Sequence, residues 1–279
     1  MLWINAILLH SFDPIAIQLG PISIRWYSLA YIVGIIAALW LISRLNQRLK
    51  QVVFVNNEQI YDSLLWVVFG IIIGGRLGYI IFYYTASVQK DWLSAVRIWD
   101  GGMSFHGGLV GLVIGLWLYS RRANINFLRV CDLASCASPI GLFLGRVANF
   151  INGELYGKPT DLPWAVVFPM VDHQPRHPSQ LYEAVLEGIL LLCIMLLSFW
   201  SEAIRNTPGR LSGLFLVSYA SIRITVEHFF REPDMQLGLF YGILSMGQIL
   251  SLPMLLVGIY LLVRPISRIM QLRGECDIR

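Results

Sequence analysis

Long apolar segments along the chain predict a bundle of membrane-spanning helices. Seven segments are long enough, or nearly so, to cross the ~30 Å hydrocarbon core of a bilayer. The third and fourth are short enough to be partly re-entrant. The segments are residues 22–43, 61–83, 105–119, 130–143, 181–200, 211–230 and 241–263. We therefore predict an all-α polytopic membrane protein, a seven-span helical bundle that forms a single domain over residues 1–279.

The placement of basic residues predicts the orientation of this bundle. Cytoplasmic loops of membrane proteins carry an excess of lysine and arginine. With the N-terminus outside, the inner segments hold twelve basic residues and the outer segments six, so we expect the N-terminus outside and the C-terminus in the cytoplasm. The twelve are Arg44, Arg48, Lys50, Arg121, Arg122, Arg129, Arg205, Arg210, Arg264, Arg268, Arg273 and Arg279.

Composition supports a membrane protein and argues against several other classes. Hydrophobic residues make up 56% of the chain and charged residues 14%, whereas average soluble domains are roughly a quarter charged. The four cysteines have no zinc or disulfide spacing, and His, Cys and carboxylate side chains are not clustered. We therefore expect no metal, no cofactor and no nucleic-acid partner.

The longest predicted outer connection is rich in proline. Five of the twelve prolines fall in residues 157–180, so this loop is expected to be stiff and partly extended. It can also hold a short strand at residues 164–168. A rigid extended loop could receive an extended peptide or serve as a plain connector.

Glycines repeat at every fourth position in residues 70–78, GIIIGGRLG. Gly70, Gly74 and Gly78 would share one helix face and allow a second helix to approach closely. Arg76 lies among them and is expected to face a partner or water, because a charge at bilayer depth is costly. We assign it a structural role.

Residues 145–157, GRVANFINGELYG, place polar side chains between two apolar regions. Arg146, Asn149 and Asn152 follow at intervals of three, so a helix would put them on one face, and Glu154 comes next. We interpret the stretch as the polar wall of a pocket beside the membrane.

Two further stretches place ionisable residues in or beside predicted spans. Tyr219, Arg223 and Glu227 are spaced by four and would share one face inside the sixth span, which by default marks a functional site. In residues 176–187, RHPSQLYEAVLE, Ser179 is a plausible N-cap and Glu183 suits the positive end of the helix. Glu187 lies one turn deeper, where capping does not explain it.

A histidine between two glycine pairs opens the third span, in residues 99–108, WDGGMSFHGG. Small neighbours would let a lipid headgroup approach the imidazole of His106 closely, although an interfacial hydrogen bond also explains it. The predicted orientation brings several charged side chains toward the outer half of the bilayer. They are His106, Arg146, Glu154, Arg223 and Arg231.

Together these stretches resemble the prolipoprotein diacylglyceryl transferases of bacteria over almost the whole chain. GRVANFINGELYG is similar to the family signature, and IRWYSLAY, GGMSFHGG, RHPSQLYE, REPD and YGILSMGQILS match further segments in order. One departure is that three residues separate Glu227 from Arg231 where the family pattern has two. The resemblance implies a multi-pass enzyme of the bacterial cytoplasmic (inner) membrane with its active site towards the outer leaflet.

The resemblance also implies the reaction and the partners. The diacylglyceryl group of phosphatidylglycerol would pass to the lipobox cysteine thiol in the signal peptide of an exported prolipoprotein, the first step of lipoprotein maturation. A thioether would form and glycerol phosphate would leave, with membrane lipids surrounding the site and no cofactor required.

The chemistry of this reaction suggests a role for each candidate residue. His106 is the candidate base for the thiol proton, unless the arginine field alone stabilises the thiolate and His106 only positions lipid. Arg146 and Arg223 would clamp the phosphate through bidentate bonds. The candidate substrate-binding residues are Tyr27, Asn149, Glu154, Gly157, Tyr219, Glu227 and Arg231.

Two other functions compete with this interpretation. A transporter or channel with an anion site in the outer leaflet would also use intramembrane arginine and glutamate, but it predicts charges throughout the bundle and an internal repeat. A transferase acting on an isoprenoid phosphate commonly needs acidic metal-binding motifs. The sequence shows neither pattern clearly.

Overall fold

The computed structural model describes residues 7–8, 12–20, 22–49, 53–54, 56–81, 104–233, 239–240 and 244–264, and helices predominate in them. The strands are short and mostly flank helices. In chain order the elements are β1 (Ile7–Leu8), β2 (Ile15–Leu19), β3 (Ile22–Arg25), α1 (Trp26–Asn46), α2 (Asn57–Tyr79), α3 (Phe105–Ala123), α4 (Phe127–Ile151), β4 (Val166–Val167), β5 (Pro175–Arg176), α5 (Ser179–Trp200), α6 (Glu202–Arg205), α7 (Arg210–Phe229), β6 (Leu239–Phe240), β7 (Leu244–Ser245) and α8 (Met246–Val263).

Helices occur in all seven apolar segments. Five of them, α1, α2, α4, α5 and α8, are long and apolar enough to cross a membrane. The prediction of a short fourth segment is wrong, because α4 has 25 residues and continues through the polar stretch to Ile151. The helical architecture fits a polytopic membrane protein, while the number of crossings and the orientation stay predictions.

Contacts divide the chain into two units. One unit is Ile42–Leu133, which contains α2 and α3. The other combines Met1–Leu41 with Ala134–Arg279 and contains α5, α7 and α8. The boundaries fall within α1 and α4. The single domain predicted for residues 1–279 stays a prediction.

In the first unit, α2 and α3 pack through facing glycines. A Cβ added to Gly70 would lie 2.2 Å from the carbonyl oxygen of Gly111, and one added to Gly74 would lie 2.3 Å from that of Gly107. Gly78 is also tight, since its Cβ would lie 2.9 Å from the Cα of Gly107. Any side chain here would push the helices apart, so the predicted close packing is confirmed.

Arg76 is buried in this unit, and its guanidinium lies 5.6 Å from the ring centroid of Tyr79. Nearby, Ser104 caps α3 by accepting from the N–H of Gly107 at 3.2 Å. The N–H of Ser104 donates to the Gly75 carbonyl at 2.8 Å, which ties the start of α3 to α2. The burial of Arg76 and its contact with Tyr79 agree with the structural role assigned to it.

In the second unit, α5 starts irregularly. Pro178 occupies the N-cap position, and the Ser179 hydroxyl donates to the Leu155 carbonyl at 3.0 Å, so the predicted capping role of Ser179 is wrong. The helix then widens into π-helical turns over Ala184–Leu190. Gly188 lies there against Phe143, where an added Cβ would be 2.6 Å from the Phe143 Cβ. Such widened turns often occur at functional sites.

Helices α7 and α8 also pack through glycines. A Cβ on Gly213 would lie 2.9 Å from the Gly258 carbonyl, and a Cβ on Gly258 would lie 2.9 Å from that of Gly213. At the start of α8, Ser245 and Gln248 form a reciprocal capping box. The glycine contact holds α8 close to α7, and the capping box determines where α8 begins.

The proline-rich connection folds onto a small apolar core. Strand β4 pairs in antiparallel fashion with β5 and in parallel fashion with β1. It covers part of the strand predicted at residues 164–168. Val166 and Phe168 are buried and contact three partly buried side chains, those of Phe150, Tyr156 and Val171. The loop is therefore ordered by its own core.

Candidate active site

The end of α4 presents two predicted site residues on one face. Arg146 and Asn149 lie three residues apart in this helix, which puts their side chains on the same side. Asn152 follows the last helical residue, and its backbone N–H still donates to the Ala148 carbonyl at 3.0 Å. The predicted polar face is therefore present for the first two residues, while Asn152 lies in the turn that follows.

A tight turn after α4 brings Glu154 back onto the helix. Gly153 has a φ of 68°, a left-handed conformation that favours glycine, and the Glu154 N–H donates to the Asn149 carbonyl at 3.1 Å. The Asn149 amide donates to Glu154 Oε1 at 3.1 Å and also to the Tyr27 hydroxyl. The Asn152 amide donates to the same Glu154 oxygen at 3.4 Å. Tyr27, Asn149 and Glu154 thus form one hydrogen-bonded group.

A second group of side chains is centred on Glu183 in α5. Its Oε2 lies 2.9 Å from Nη1 of Arg146. Its Oε1 lies 2.7 Å from Nη1 of Arg223 and 2.8 Å from Nη1 of Arg231. Three arginines from α4, α7 and the segment after α7 therefore converge on one carboxylate. The two arginines predicted to clamp a phosphate thus lie together.

Two more carboxylates complete this group. Glu187 accepts from Nε and Nη2 of Arg146 at 3.0 and 2.9 Å. Glu227 accepts from Arg223 in the same helix and lies 3.5 Å from Nε of Arg231. We name the whole group the arginine–glutamate cluster, which consists of Arg146, Glu183, Glu187, Arg223, Glu227 and Arg231.

The arginine–glutamate cluster is balanced in charge, but its arginine side chains are more exposed than those of Glu183 and Glu187. Its three guanidinium groups and three carboxylates give a formal charge of zero. The arginine side chains are 12–13% exposed, whereas those of Glu183 and Glu187 are 0% exposed. Pairing is essential at this depth, because an unpaired buried charge costs several kcal/mol. The guanidinium groups are the part that an entering ligand would meet first.

Tyr219 lies one helical turn before Arg223 in α7. Its ring stacks on Phe215, with the centroids 5.9 Å apart. Its phenol lies in the electrostatic field of Glu187 and Arg223. Tyr219 is therefore beside the arginine–glutamate cluster, as its helical spacing predicts.

Gly157 holds Arg231 in place through backbone contacts. The two residues form an antiparallel β-bridge, and the N–H of Lys158 donates to the Phe230 carbonyl at 2.8 Å. The Gly157 N–H donates to the His177 carbonyl at 3.0 Å. A Cβ at position 157 would lie 2.5 Å from the His177 oxygen and 2.6 Å from the Phe230 oxygen, so only glycine fits.

Arg176 fastens the proline-rich loop to this bridge. Its Nη1 donates to the Gly157 carbonyl at 3.0 Å and to Glu232 at 3.2 Å, while Nη2 donates to Asp172 at 2.6 Å. The guanidinium also lies 5.0 Å from the ring centroid of Tyr156. Its hydrogen bonds hold the pKa of the Asp172 carboxyl below its ordinary value. Hydrogen bonds through Gly157 therefore link the proline-rich loop to Arg231 of the arginine–glutamate cluster.

The sequence interpretation missed Glu183, which helix capping and the helix dipole had seemed to explain. Its contacts are with arginines 37, 40 and 48 residues away, and local reasoning does not reveal them. One available signal was the recurrence of Glu183 and Glu187 at an interval of four in an otherwise apolar segment. The side chain of His106 lies outside the part of the chain that the structure describes, so its predicted role is untested.

Comparisons with known proteins give a consistent family. A family model described as prolipoprotein diacylglyceryl transferase matches residues 14–264. Among curated proteins, a phosphatidylglycerol--prolipoprotein diacylglyceryl transferase of Rhodospirillum rubrum is 48% identical over 254 residues, covering 91% of this chain and 92% of that protein. Proteins of the same name from Nitratidesulfovibrio vulgaris and Gluconobacter oxydans are 49% and 46% identical. They cover 90% and 95% of this chain, and 93% and 96% of their own lengths are matched.

Proposed function

This chain belongs to the prolipoprotein diacylglyceryl transferase family, and we propose that it transfers the diacylglyceryl group of phosphatidylglycerol to a cysteine thiol of a prolipoprotein. The observation that carries this proposal is the convergence of Arg146 and Arg223 on Glu183. It supplies two fixed guanidinium groups in one place, an arrangement that suits the binding of a phosphate headgroup.

The reaction is a displacement at carbon. The cysteine sulfur forms a bond to the glyceryl carbon while the bond from that carbon to the phosphate oxygen breaks. The thiol proton passes to a base, and glycerol phosphate leaves with one more negative charge than the diester carried. Arg146 and Arg223 stabilise that charge because both stay protonated and are already oriented.

The neighbouring polar group suits the glycerol headgroup. Asn149 and Glu154 offer hydrogen-bonding atoms in an arrangement that Tyr27 and the turn at Gly153 hold fixed. These atoms would bind the free hydroxyls of phosphatidylglycerol and so distinguish it from lipids without them.

The remaining predicted residues shape the site around the headgroup. Arg231 and Tyr219 would add a third positive charge and a hydroxyl, while Glu227 balances Arg223. Gly157 would keep the loop backbone close to the headgroup. Its β-bridge to Arg231 and its close contact with the Phe230 carbonyl support a second role, which is the placement of Arg231.

Thiolate formation requires a base or a positive field. A cysteine with a pKa near 8.5 is only a few per cent ionised at neutral pH. We assign the proton to His106 because its ordinary pKa near 6.5 suits a base and its glycine neighbours leave room for a headgroup. This assignment rests on the sequence alone.

The cellular setting follows from the same proposal. The acceptor would be the lipobox cysteine in the signal peptide of an exported precursor, and the protein would be a multi-pass protein of the bacterial inner membrane. The distribution of basic residues supports an active site towards the outer leaflet.

A direct transfer assay tests this function. Purified protein is incubated with phosphatidylglycerol and a lipobox peptide, and mass spectrometry measures the gain of a diacylglyceryl group. Arg146→Lys keeps the charge but loses the planar fork, so we expect at least about a hundredfold lower turnover. Arg210→Lys, at the start of α7, is the matched control and should turn over normally. Wild-type turnover in Arg146→Lys would exclude the bidentate clamp.

The base is tested separately with His106→Gln. Transfer is measured against pH for this variant and for the wild type. We expect a large loss of rate and the disappearance of the acidic limb of the profile. An unchanged rate and profile would leave thiolate formation to the arginines alone.

A further inference from the structure

The arginine–glutamate cluster is electrically balanced before any substrate enters. Among the described residues, Arg146, Arg223 and Arg231 are matched by Glu183, Glu187 and Glu227. A phosphodiester headgroup would bring one further negative charge. The present inference rests on the proposed function, because that function supplies the anion.

An extra buried charge is not tolerated without compensation. Removing an ion from water costs several kcal/mol even after the protein relaxes, and the arginines already satisfy their charge with carboxylates. Bringing a phosphate to these arginines would place four negative charges against three positive ones. The simplest compensation is the uptake of one proton by one of the carboxylates.

Burial together with hydrogen bonding distinguishes Glu187 from Glu183 and Glu227. Glu183 has both oxygens engaged, Oε1 by Arg223 and Arg231 and Oε2 by Arg146. Glu187 differs, because its Oε2 accepts two hydrogen bonds from Arg146 whereas its Oε1 is buried with no hydrogen-bond partner among the residues that the structure describes. Within that part of the chain, this oxygen has one ion contact, with Arg223 at 3.5 Å.

We propose that Glu187 takes up a proton on Oε1 when the anionic headgroup binds, so that the arginines exchange one carboxylate charge for a phosphate charge. The proton would occupy the one fully buried carboxylate oxygen of the cluster that has no hydrogen-bond partner among the described residues. Protonation of Glu187 weakens the attraction between its Oε2 and Arg146, so the Arg146 guanidinium can turn toward the phosphate. The charged or titratable groups that face Glu187 are Arg146 from α4, Glu183 from α5, and Tyr219 and Arg223 from α7.

Glu187→Gln imitates the protonated state. Its carbonyl oxygen can accept from Arg146 as Oε2 does, and its amide group takes the place of the protonated Oε1. The variant should therefore bind the anion without gaining a proton. Glu202→Gln is the matched control, since Glu202 is mostly exposed in α6 and pairs with Arg205 instead.

Calorimetry of lipid binding provides the test. Short-chain phosphatidylglycerol is titrated into detergent-solubilised full-length protein, without acceptor peptide, in buffers of different protonation enthalpy. We expect one proton taken up per lipid bound by the wild type and by Glu202→Gln, and none by Glu187→Gln. In the pH range of that uptake, Kd of the wild type should rise about tenfold per pH unit, whereas Kd of Glu187→Gln should stay constant.

Several outcomes would overturn the inference. Binding of phosphatidylglycerol by the wild type without proton uptake would overturn it while leaving the proposed function intact. Proton uptake that persists in Glu187→Gln but disappears in Glu227→Gln would assign the proton to Glu227 and so overturn the inference. If Glu187→Gln fails to fold, the wild type and Glu227→Gln decide together: uptake that is absent from the wild type, or lost in Glu227→Gln, would overturn the inference. No binding of phosphatidylglycerol would overturn both this inference and the proposed function.

Discussion

Replacing Glu183 with glutamine should cost more stability than any comparable change on the surface. Both oxygens of Glu183 accept from guanidinium groups, so one of them becomes an amide that faces an arginine whichever way the side chain turns. Removing one partner from a buried ion pair costs about 3–5 kcal/mol, because the remaining charge stays buried without compensation. We expect Glu183→Gln to fall in that range. Glu202→Gln should cost about 0–1 kcal/mol, since its partner Arg205 lies 3.4 Å away from a mostly exposed carboxylate.

The free energy of unfolding is measured by titrating SDS into mixed micelles and following helix content by circular dichroism. Glu187→Gln belongs in the same series, because its amide group can occupy the side of Oε1 that has no hydrogen-bond partner. We therefore expect Glu187→Gln to lose less stability than Glu183→Gln. Equal losses for Glu183→Gln and Glu202→Gln would refute the idea that Glu183 holds the cluster together.

Further variants test two tightly packed glycines, Gly157 and Gly111, and the Asp172 carboxylate. Gly157→Ala should lower both thermal stability and transfer activity strongly, because its Cβ would meet two carbonyl oxygens. Gly145→Ala is the control and should keep its thermal stability, since its added Cβ has no described atom within 4 Å beyond its chain neighbours and its own helix backbone; equal thermal stability of the two variants would contradict this. Gly111→Ala should destabilise the α2–α3 pair, with a Cβ only 1.9 Å from the Gly70 carbonyl, whereas Gly108→Ala should be mild at 3.6 Å; thermal unfolding in detergent compares them. The ionised Asp172 carboxylate accepts hydrogen bonds from Arg176, which lower its pKa in the folded state and stabilise the loop at pH values above the ordinary carboxyl range. This stabilisation is lost as pH falls through the folded-state pKa. Acid titration of tryptophan fluorescence should show this transition weakened in Asp172→Asn.

The positions of the helices could be predicted because apolar length determines them. The spacing of Gly70, Gly74 and Gly78 likewise predicted a helix contact, since small residues at every fourth position form a continuous strip. The boundaries were harder to predict. Helix α4 continues past its apolar part because Arg146 is paired with glutamates, which makes a polar segment stable in a buried helix.

The candidate site was only partly predictable, for a physical reason. Tyr219, Arg223 and Glu227 could be grouped because one helix carries them all at intervals of four. Glu183 could not be connected with Arg223, which lies 40 residues away on another helix. A local explanation at the start of α5 was sufficient for its presence, and only the three-dimensional packing shows that it contacts three arginines.

Backbone contacts, rather than helical spacing alone, determine the position of the Arg231 guanidinium. Helix α7 ends at Phe229, and the Arg231 N–H donates to the Val226 carbonyl at 3.0 Å, five residues back, so the chain turns more widely than in an α-helix. Its backbone is also bridged to Gly157. These two tethers keep its guanidinium 2.8 Å from Glu183. The loop bridge therefore takes over the positioning of Arg231 that the regular turn of the helix would otherwise provide.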